Sequence, residues 1–503
     1  MLRRASIPIL LLSTVLTAAV QAGDTPAAAG KVPITTTSAE AREAYLRGRD
    51  LAEKLRNQQA RTEYERAVQL DPNFALAYLN LAGTQPTTKG FFETMAKAVA
   101  LVEKVSEGER LMIRGAEAGG NADNATQCKI YTDLAAKYPA DERALNLLAT
   151  AQFGMQDYAA AVAQYEKVVK IAPDFSPAYN LLGYSYRFLG DMTKAEAAFK
   201  KYIELIPDDP NPYDSYAELL LKVGRFDDSI ANYRKALAVD PTFFNANLGI
   251  ATNLDLQAKT QDARRELDTM LQSAKDDGQR RAGLFGKTVS YVHEGDLKAA
   301  QGEIEKQYAL GEKIGDALAM SGDLALMGNL ALEAGDPTAA ETRYRRALEV
   351  VEASTSVAAV NKENQRRLQP FRAGRVALAR NDLATAKAQS ATFSEKVASS
   401  GSVFQKKLAH ELAGQVALAT KNYDQAIAEL SQANQVDPYN VYRLSLAYAG
   451  KGDAAKAKDL AKRADNDNSL SNLNHAFVRR LLRKSAGSQG AVAAETKTRP
   501  GGH

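Results

Sequence analysis

The residues best equipped for chemistry are few and lie far apart. Four histidines, His293, His410, His475 and His503, are scattered along 503 residues, and Cys128 is the only cysteine. One thiol cannot close an intramolecular disulfide, and without a histidine cluster it cannot build a zinc site. Cys128 falls on a helix expected over residues 124–137 and reads as a small, partly buried side chain. Three stretches imitate site motifs. Gly286-Lys287-Thr288 looks like the end of a phosphate-binding loop. The glycine needed five residues earlier is Arg281, and the required strand is not expected before it, so Lys287 reads as a surface lysine on a helix. His410-Glu411 opens like a zinc-protease helix, but Gly414 holds the second histidine position. Asp465-Asn466-Asp467-Asn468-Ser469 opens like a calcium loop, yet Leu470 stands in place of the turning glycine and Ala476 in place of the closing glutamate. Asn124-Ala125-Thr126 fits a glycosylation acceptor and reads as incidental. The expectation is therefore no catalytic residue, no cofactor, no metal ligand and no enzyme.

What must be positioned, then, is a surface. Lysine and arginine number 64 against 60 aspartate and glutamate, a balance that argues against wholesale binding of nucleic acid or anionic membrane. Alanine, leucine, lysine and glutamate dominate and tryptophan is absent, which is helix-forming composition. Pro173, Pro207 and Pro241 recur every 34 residues, a period that marks a stacked-repeat array. Between Ser176 and Pro207, Tyr179, Leu182, Gly183 and Tyr186 share one face of a first helix. Gly190-Asp191 breaks it. Ala195, Phe199 and Tyr202 then line a second helix that Pro207 ends. Gly183 and Ala195 sit where the two helices approach closely.

The same slots hold Leu145, Leu148, Ala149, Ala161, Tyr165, Val168 and Pro173 upstream, and Tyr213, Tyr216, Ala217, Ser229, Tyr233, Ala236 and Pro241 downstream. This pattern resembles the tetratricopeptide repeat (TPR) family, with Gln152 replacing the first-helix aromatic and Val168 and Tyr202 larger than usual. The resemblance implies an all-α fold, a right-handed α-solenoid of stacked antiparallel helix pairs. His410 falls in a large-residue packing slot of its copy.

Arg3 and Arg4 precede an apolar run from Ile7 to Val20, and Val20-Gln21-Ala22 supplies small residues for cleavage. This is the layout of a secretory signal peptide over residues 1–22, cleaved after Ala22, and the run is shorter than a membrane-spanning helix needs. A bacterial, periplasmic protein is expected. Residues 23–37 read as a flexible leader and 38–275 as an N-terminal array. Residues 276–484 read as a C-terminal array with longer helices, closed by a capping helix over 470–484. The basic run Arg479-Arg480-Leu481-Leu482-Arg483-Lys484 reads as the solvated face of that helix, and 485–503 as a disordered tail. About 11 hairpins are expected in all.

In the TPR family the first helices line a concave groove, at the second, fifth, ninth and twelfth positions of each copy. Here those are Arg143, Asn146, Thr150 and Phe153; Pro177, Asn180, Tyr184 and Arg187; then Asn211, Asp214, Glu218 and Leu221. Steps of three and four place each set on one helix face. Asn146 and Asn180 share a slot one repeat apart, where an amide can hydrogen-bond the main chain of an extended peptide. Tyr184 and Phe153 offer flat apolar contact, and Arg187 a partner for a carboxylate. The family's basic clamp for chaperone C-terminal carboxylates lacks its lysines here. The leading expectation is a scaffold binding a protein or peptide segment in the cell envelope. The alternative is a carbohydrate- or envelope-polymer-binding accessory factor for assembly or secretion that stacks sugars on Tyr184 and Phe153.

Overall fold

The computed structural model describes residues 30–483. Twenty-five α-helices follow one another there, from Ala39–Glu53 to Ala454–Asp465, with no strand among the described residues. Residues 473–483 form a last helix. Each helix packs chiefly on its neighbours in sequence. With the short helix Ala359–Arg367 set aside, the 25 pair off into twelve hairpins, one more than the sequence suggests. The fold is an all-α solenoid.

The hairpin Ser176–Leu189 and Met192–Leu205 shows why these residues fold this way. Pro177 sits in the first turn of its helix, where its missing N–H costs nothing. Gly190 ends that helix at φ 85°, a conformation glycine adopts without steric penalty. Asp191 caps the next helix by accepting from the Lys194 N–H. Ala195, Phe199 and Tyr202 then lie fully buried, the first two in one cluster with Leu182 and Tyr186. A Cβ at Gly183 would stand 2.7 Å from the Phe199 ring, so only glycine permits this helix separation. The same contact recurs in other hairpins between Gly48 and Tyr64, Gly115 and Tyr131, Gly328 and Tyr344, and Gly414 and Leu430. Helices of 13 or 14 residues, such as Glu142–Gly154 and Thr260–Ser273, give way to ones of 17 or 18 from Asp277–Glu294 to Pro337–Ala353.

The array curls until distant hairpins meet. Arg56 Nε lies 2.8 Å from Asp209 Oδ2. The Lys89 N–H donates to Asp316, and Asn364 Nδ2 to the Asn121 carbonyl. Gln156, in a hairpin turn, donates to Asn434 Oδ1 over 2.9 Å and accepts from Lys407. Residues 31–37, the end of the expected flexible leader, run extended and tied down. The Val32 N–H donates to Asp141 Oδ2 at 2.8 Å, and the Thr35 N–H to Glu109 Oε1 at 2.7 Å. The signal segment 1–22, the start of the leader and the tail 485–503 lie outside the described residues.

The helix over residues 473–483 does more than close the last hairpin. Val478 packs with Val441 and Leu444 of that hairpin. Leu473, Ala476 and Phe477 reach back to Val289, Val292, Leu324, Met327 and Leu330, on the first helices of two earlier hairpins. Ser471 meets Thr252 at 3.0 Å, and Lys222 pairs with Asp467. The first two residues of the basic run are accordingly not solvated, while Arg483 is exposed and Lys484 lies outside the described residues. Arg479 donates to the carbonyls of Asp465 and Leu256, and Arg480 to the Glu333 carbonyl, because carbonyls left over at helix ends take up their charged donors.

Candidate peptide-binding groove

Three successive first helices, Glu142–Gly154, Ser176–Leu189 and Pro210–Lys222, carry the residues expected to line a groove. One part of that set forms a continuous cluster. Arg187 Nη1 lies 3.3 Å from Glu218 Oε2 on the next repeat. Its guanidinium also covers the rings of Tyr184 at 4.7 Å and Phe188 at 5.0 Å. Phe153 joins from the preceding repeat, its ring 5.6 Å from Phe188 and 5.3 Å from Tyr158. Asp214 sits one helical turn before Glu218, 6% exposed. Burial, and then the negative charge of Glu218, push the Asp214 carboxyl well above the usual carboxylate range. Burial raises Glu218 as well, while Arg187 and the Tyr184 hydroxyl pull it down.

The rest of the set is spread out. Arg143 belongs to another network: its Nε is 2.7 Å from Glu53 Oε1, it pairs with Glu142, and it covers the Phe175 ring. That places it beside Lys31 and Val32 of the leader, since Lys31 also pairs with Glu142. Thr150 is exposed, and its hydroxyl meets Tyr165 OH at 3.1 Å. Asn211 turns inward, donating to Tyr202 OH at 2.6 Å, and Leu221 is fully buried.

Between these lie Asn146, half-buried, and Asn180, 9% exposed. Asn146 Oδ1, Asn180 Oδ1 and Arg187 Nε are each buried with no hydrogen-bond partner among the described residues. A buried polar atom left unpaired costs free energy, about 1–3 kcal/mol each. Sequence reading passed over a further member, Tyr233, as a packing residue. Its hydroxyl is also buried without a partner, and the charges of Asp214 and Glu218 bear on it. The available signal is Gly249, whose missing side chain leaves room for the Tyr233 ring.

The rings proposed for sugar stacking are already engaged. Tyr184 meets the edge of Phe199 at 5.1 Å and lies under Arg187, while Phe153 is packed against Tyr158 and Phe188. The motif imitations also resolve into ordinary contacts. Lys287 is not a surface lysine: it is largely covered and bridges Asp268 at 2.8 Å and Glu303 at 3.6 Å. His410 Nδ1 rests 2.8 Å from Glu429, with its ring half-exposed. Asp467 pairs with Lys222. Burial pushes the Cys128 thiol up, away from the reactive thiolate. Among the described residues no helix is long and apolar enough to cross a membrane.

The tetratricopeptide repeat family matches in two places, over residues 146–210 and 211–243. Among solved structures, the chain is similar to a tetratricopeptide repeat protein from Parabacteroides merdae ATCC 43184. They are 17% identical with a TM-score of 0.36, over 52% of this chain and 96% of that one. It is also similar to PilW, described as a widely conserved type IV pilus biogenesis factor. That match is 23% identical with a TM-score of 0.33, over 43% of this chain and 96% of that one. No curated protein matches the sequence. The chain carries tetratricopeptide repeats over residues 146–243, set within a longer all-α solenoid.

Proposed function

We propose that this protein is a non-catalytic scaffold that binds a protein or peptide segment in the bacterial cell envelope, along the inner face of residues 142–221. The observation that carries the reading is the set of unpartnered polar atoms on that face. Asn146 Oδ1 and Asn180 Oδ1 can each accept a main-chain N–H, and Arg187 Nε can donate to a carbonyl. Repeating one acceptor at one slot in consecutive repeats suits a ligand whose own backbone repeats. Arg143, Thr150, Phe153, Tyr184, Asp214 and Glu218 flank that line on the same three helices. The array also holds its own extended segment, residues 31–37, through main-chain N–H groups, which is the same mode of recognition. The envelope location rests on the sequence of residues 1–22.

Peptides selected from a random library against the native protein test this directly. They should bind an Asn146→Ala/Asn180→Ala variant at least about tenfold more weakly, the loss of roughly one good hydrogen bond. Equal binding by a folded variant would remove the groove from the account. N-terminal sequencing of protein exported from a bacterial host should begin at Gly23; an intact Met1 would remove the envelope location.

A further inference from the structure

The C-terminal half contains a second recess, about 290 Å³ in volume, between the helices Gln369–Ala379, Val403–Ala419 and Pro438–Lys451. Arg372 lines it and is 8% exposed. Its Nη2 donates to Gln365 Oε1 at 3.1 Å, but its Nη1 is buried with no partner among the described residues. The neighbouring cation, Arg375, points to neutral groups, with Nη1 2.6 Å from Asn329 Oδ1. Three other well-covered arginines, unlike this pair, are matched to carboxylates: Arg187 to Glu218, Arg281 to Asp323, Arg443 to Glu411. Arg372 breaks that pattern. Burial pushes its pKa down to about 10; Tyr344 opposes that shift, and the like charge of Arg375 adds a smaller push in the same direction as burial. A guanidinium gives up a proton so reluctantly that this marks a missing counter-charge.

The acids that line the recess are bonded to groups other than Arg372. Glu411 holds Arg443 at 3.0 Å and Asn440 at 3.2 Å. Asp437 accepts from the Tyr439 N–H and from Asn474. The apolar part of the wall is Phe371, Leu408 and Phe404, the last 57% exposed, and the amides of Asn329, Asn434 and Asn474 also belong to the lining. A planar fork with one open edge matches a planar carboxylate or a phosphate face. Apolar walls favour an organic body over a bare inorganic ion, and the volume is that of a small-molecule pocket.

We propose that this recess binds a small organic oxyanion, a carboxylate or phosphate on an aromatic or aliphatic body, with the Arg372 guanidinium as its counter-ion and Phe371, Phe404 and Leu408 against the body. The site is separate from the inner face of residues 142–221 and stands independently of the function proposed for it.

Isothermal titration of the full chain with phenylacetate, phenyl phosphate and neutral phenylacetamide tests it. At least one anion should bind saturably, and the better of the two identifies the headgroup. Phenylacetamide should bind at least tenfold more weakly. In Arg372→Met the preferred anion should lose at least tenfold in affinity. Absence of binding by both anions, equal binding of phenylacetamide, or unchanged affinity in Arg372→Met would overturn the proposal. If Arg372→Met does not fold, the comparison of anion with amide in the native protein decides alone.

Discussion

Two sets of first helices have opposite fates. Along residues 142–221 the first helices present Asn146, Asn180, Arg187, Asp214 and Glu218, with unpaired polar atoms among them. Along residues 289–330 they present Val289, Val292, Met327 and Leu330, and the chain's own helix over 473–483 lies on top through Leu473, Ala476 and Phe477. The hairpin scaffold is alike in both, so the side chains at the inward slots set the outcome. An apolar stripe must be covered, and the nearest cover is the end of the same chain. A polar stripe gains nothing from apolar cover. The stretch over 289–330 has thereby become core, while the stretch over 142–221 keeps polar atoms without partners.

The strongest way to break this comparison is to weaken the cover. Phe477→Ala removes a fully buried ring from the C-terminal cluster and should cost about 3–5 kcal/mol in denaturant unfolding. A loss below about 1 kcal/mol would show that the last helix is only resting on the array.

Acid offers the next largest effect, with opposite signs in the two halves. His293 and His475 face each other across the covered interface, ring centres 6.1 Å apart. Burial, and then the His475, Arg479 and Arg483 charges, push His293 down to about 3. Burial and Arg479 push His475 down to about 4, with Asp465, Asp467 and Lys222 as further neighbours. Folded values below the ordinary histidine value mean that stability is complete above about pH 6.5 and drains away as the pH falls. The loss at the C-terminal interface should be on the order of 3 kcal/mol by pH 4, and His293→Gln should flatten it. Asp214 runs the other way. Its folded value is raised, so its contribution is greatest in acid and declines as the pH rises through that value. Limited proteolysis at pH 4 should therefore release the C-terminal segment before it cuts residues 176–222. The reverse order would contradict the assignment.

Smaller effects sharpen the contrast. Lys287→Met strips a cation from Glu303, which keeps only Lys306, and should cost about 1–2 kcal/mol in thermal unfolding. No measurable loss would return Lys287 to the surface. Asn146→Ala and Asn180→Ala remove acceptors that have no partner; that relief offsets the packing lost with the side chain, and each should lower stability by less than about 0.5 kcal/mol. A larger loss would mean that these amides serve the fold instead of a ligand.

The hairpins were legible because their contacts are local. Gly183 and Phe199 lie within one repeat, and the 34-residue period carries their pairing into the sequence. The meeting of Arg187 with Tyr184 and Glu218 was legible for the same reason, since slot and helix face follow from helical spacing. Contacts between successive coils leave no such mark. Nothing near Gln156 announces Asn434 as a partner 278 residues away, and nothing near Arg479 announces the Leu256 carbonyl 223 residues away. Those depend on how sharply the solenoid curves, which sums small rotations over many repeats. The terminal helix did carry a signal. Leu473 and Phe477 fall four apart on one face, with His475 and the basic run on its flanks, a pattern that allows a buried helix as readily as an end cap.

Amide hydrogen exchange of the isolated full chain, followed by mass spectrometry at neutral pH, tests the contrast between the two faces most directly. The account predicts that peptides spanning residues 473–483 exchange as slowly as those from Ala317–Ala334, the helix they cover. Exchange over 473–483 at the rate of an unstructured segment would contradict it, because the second groove would then be open and the two halves would no longer differ.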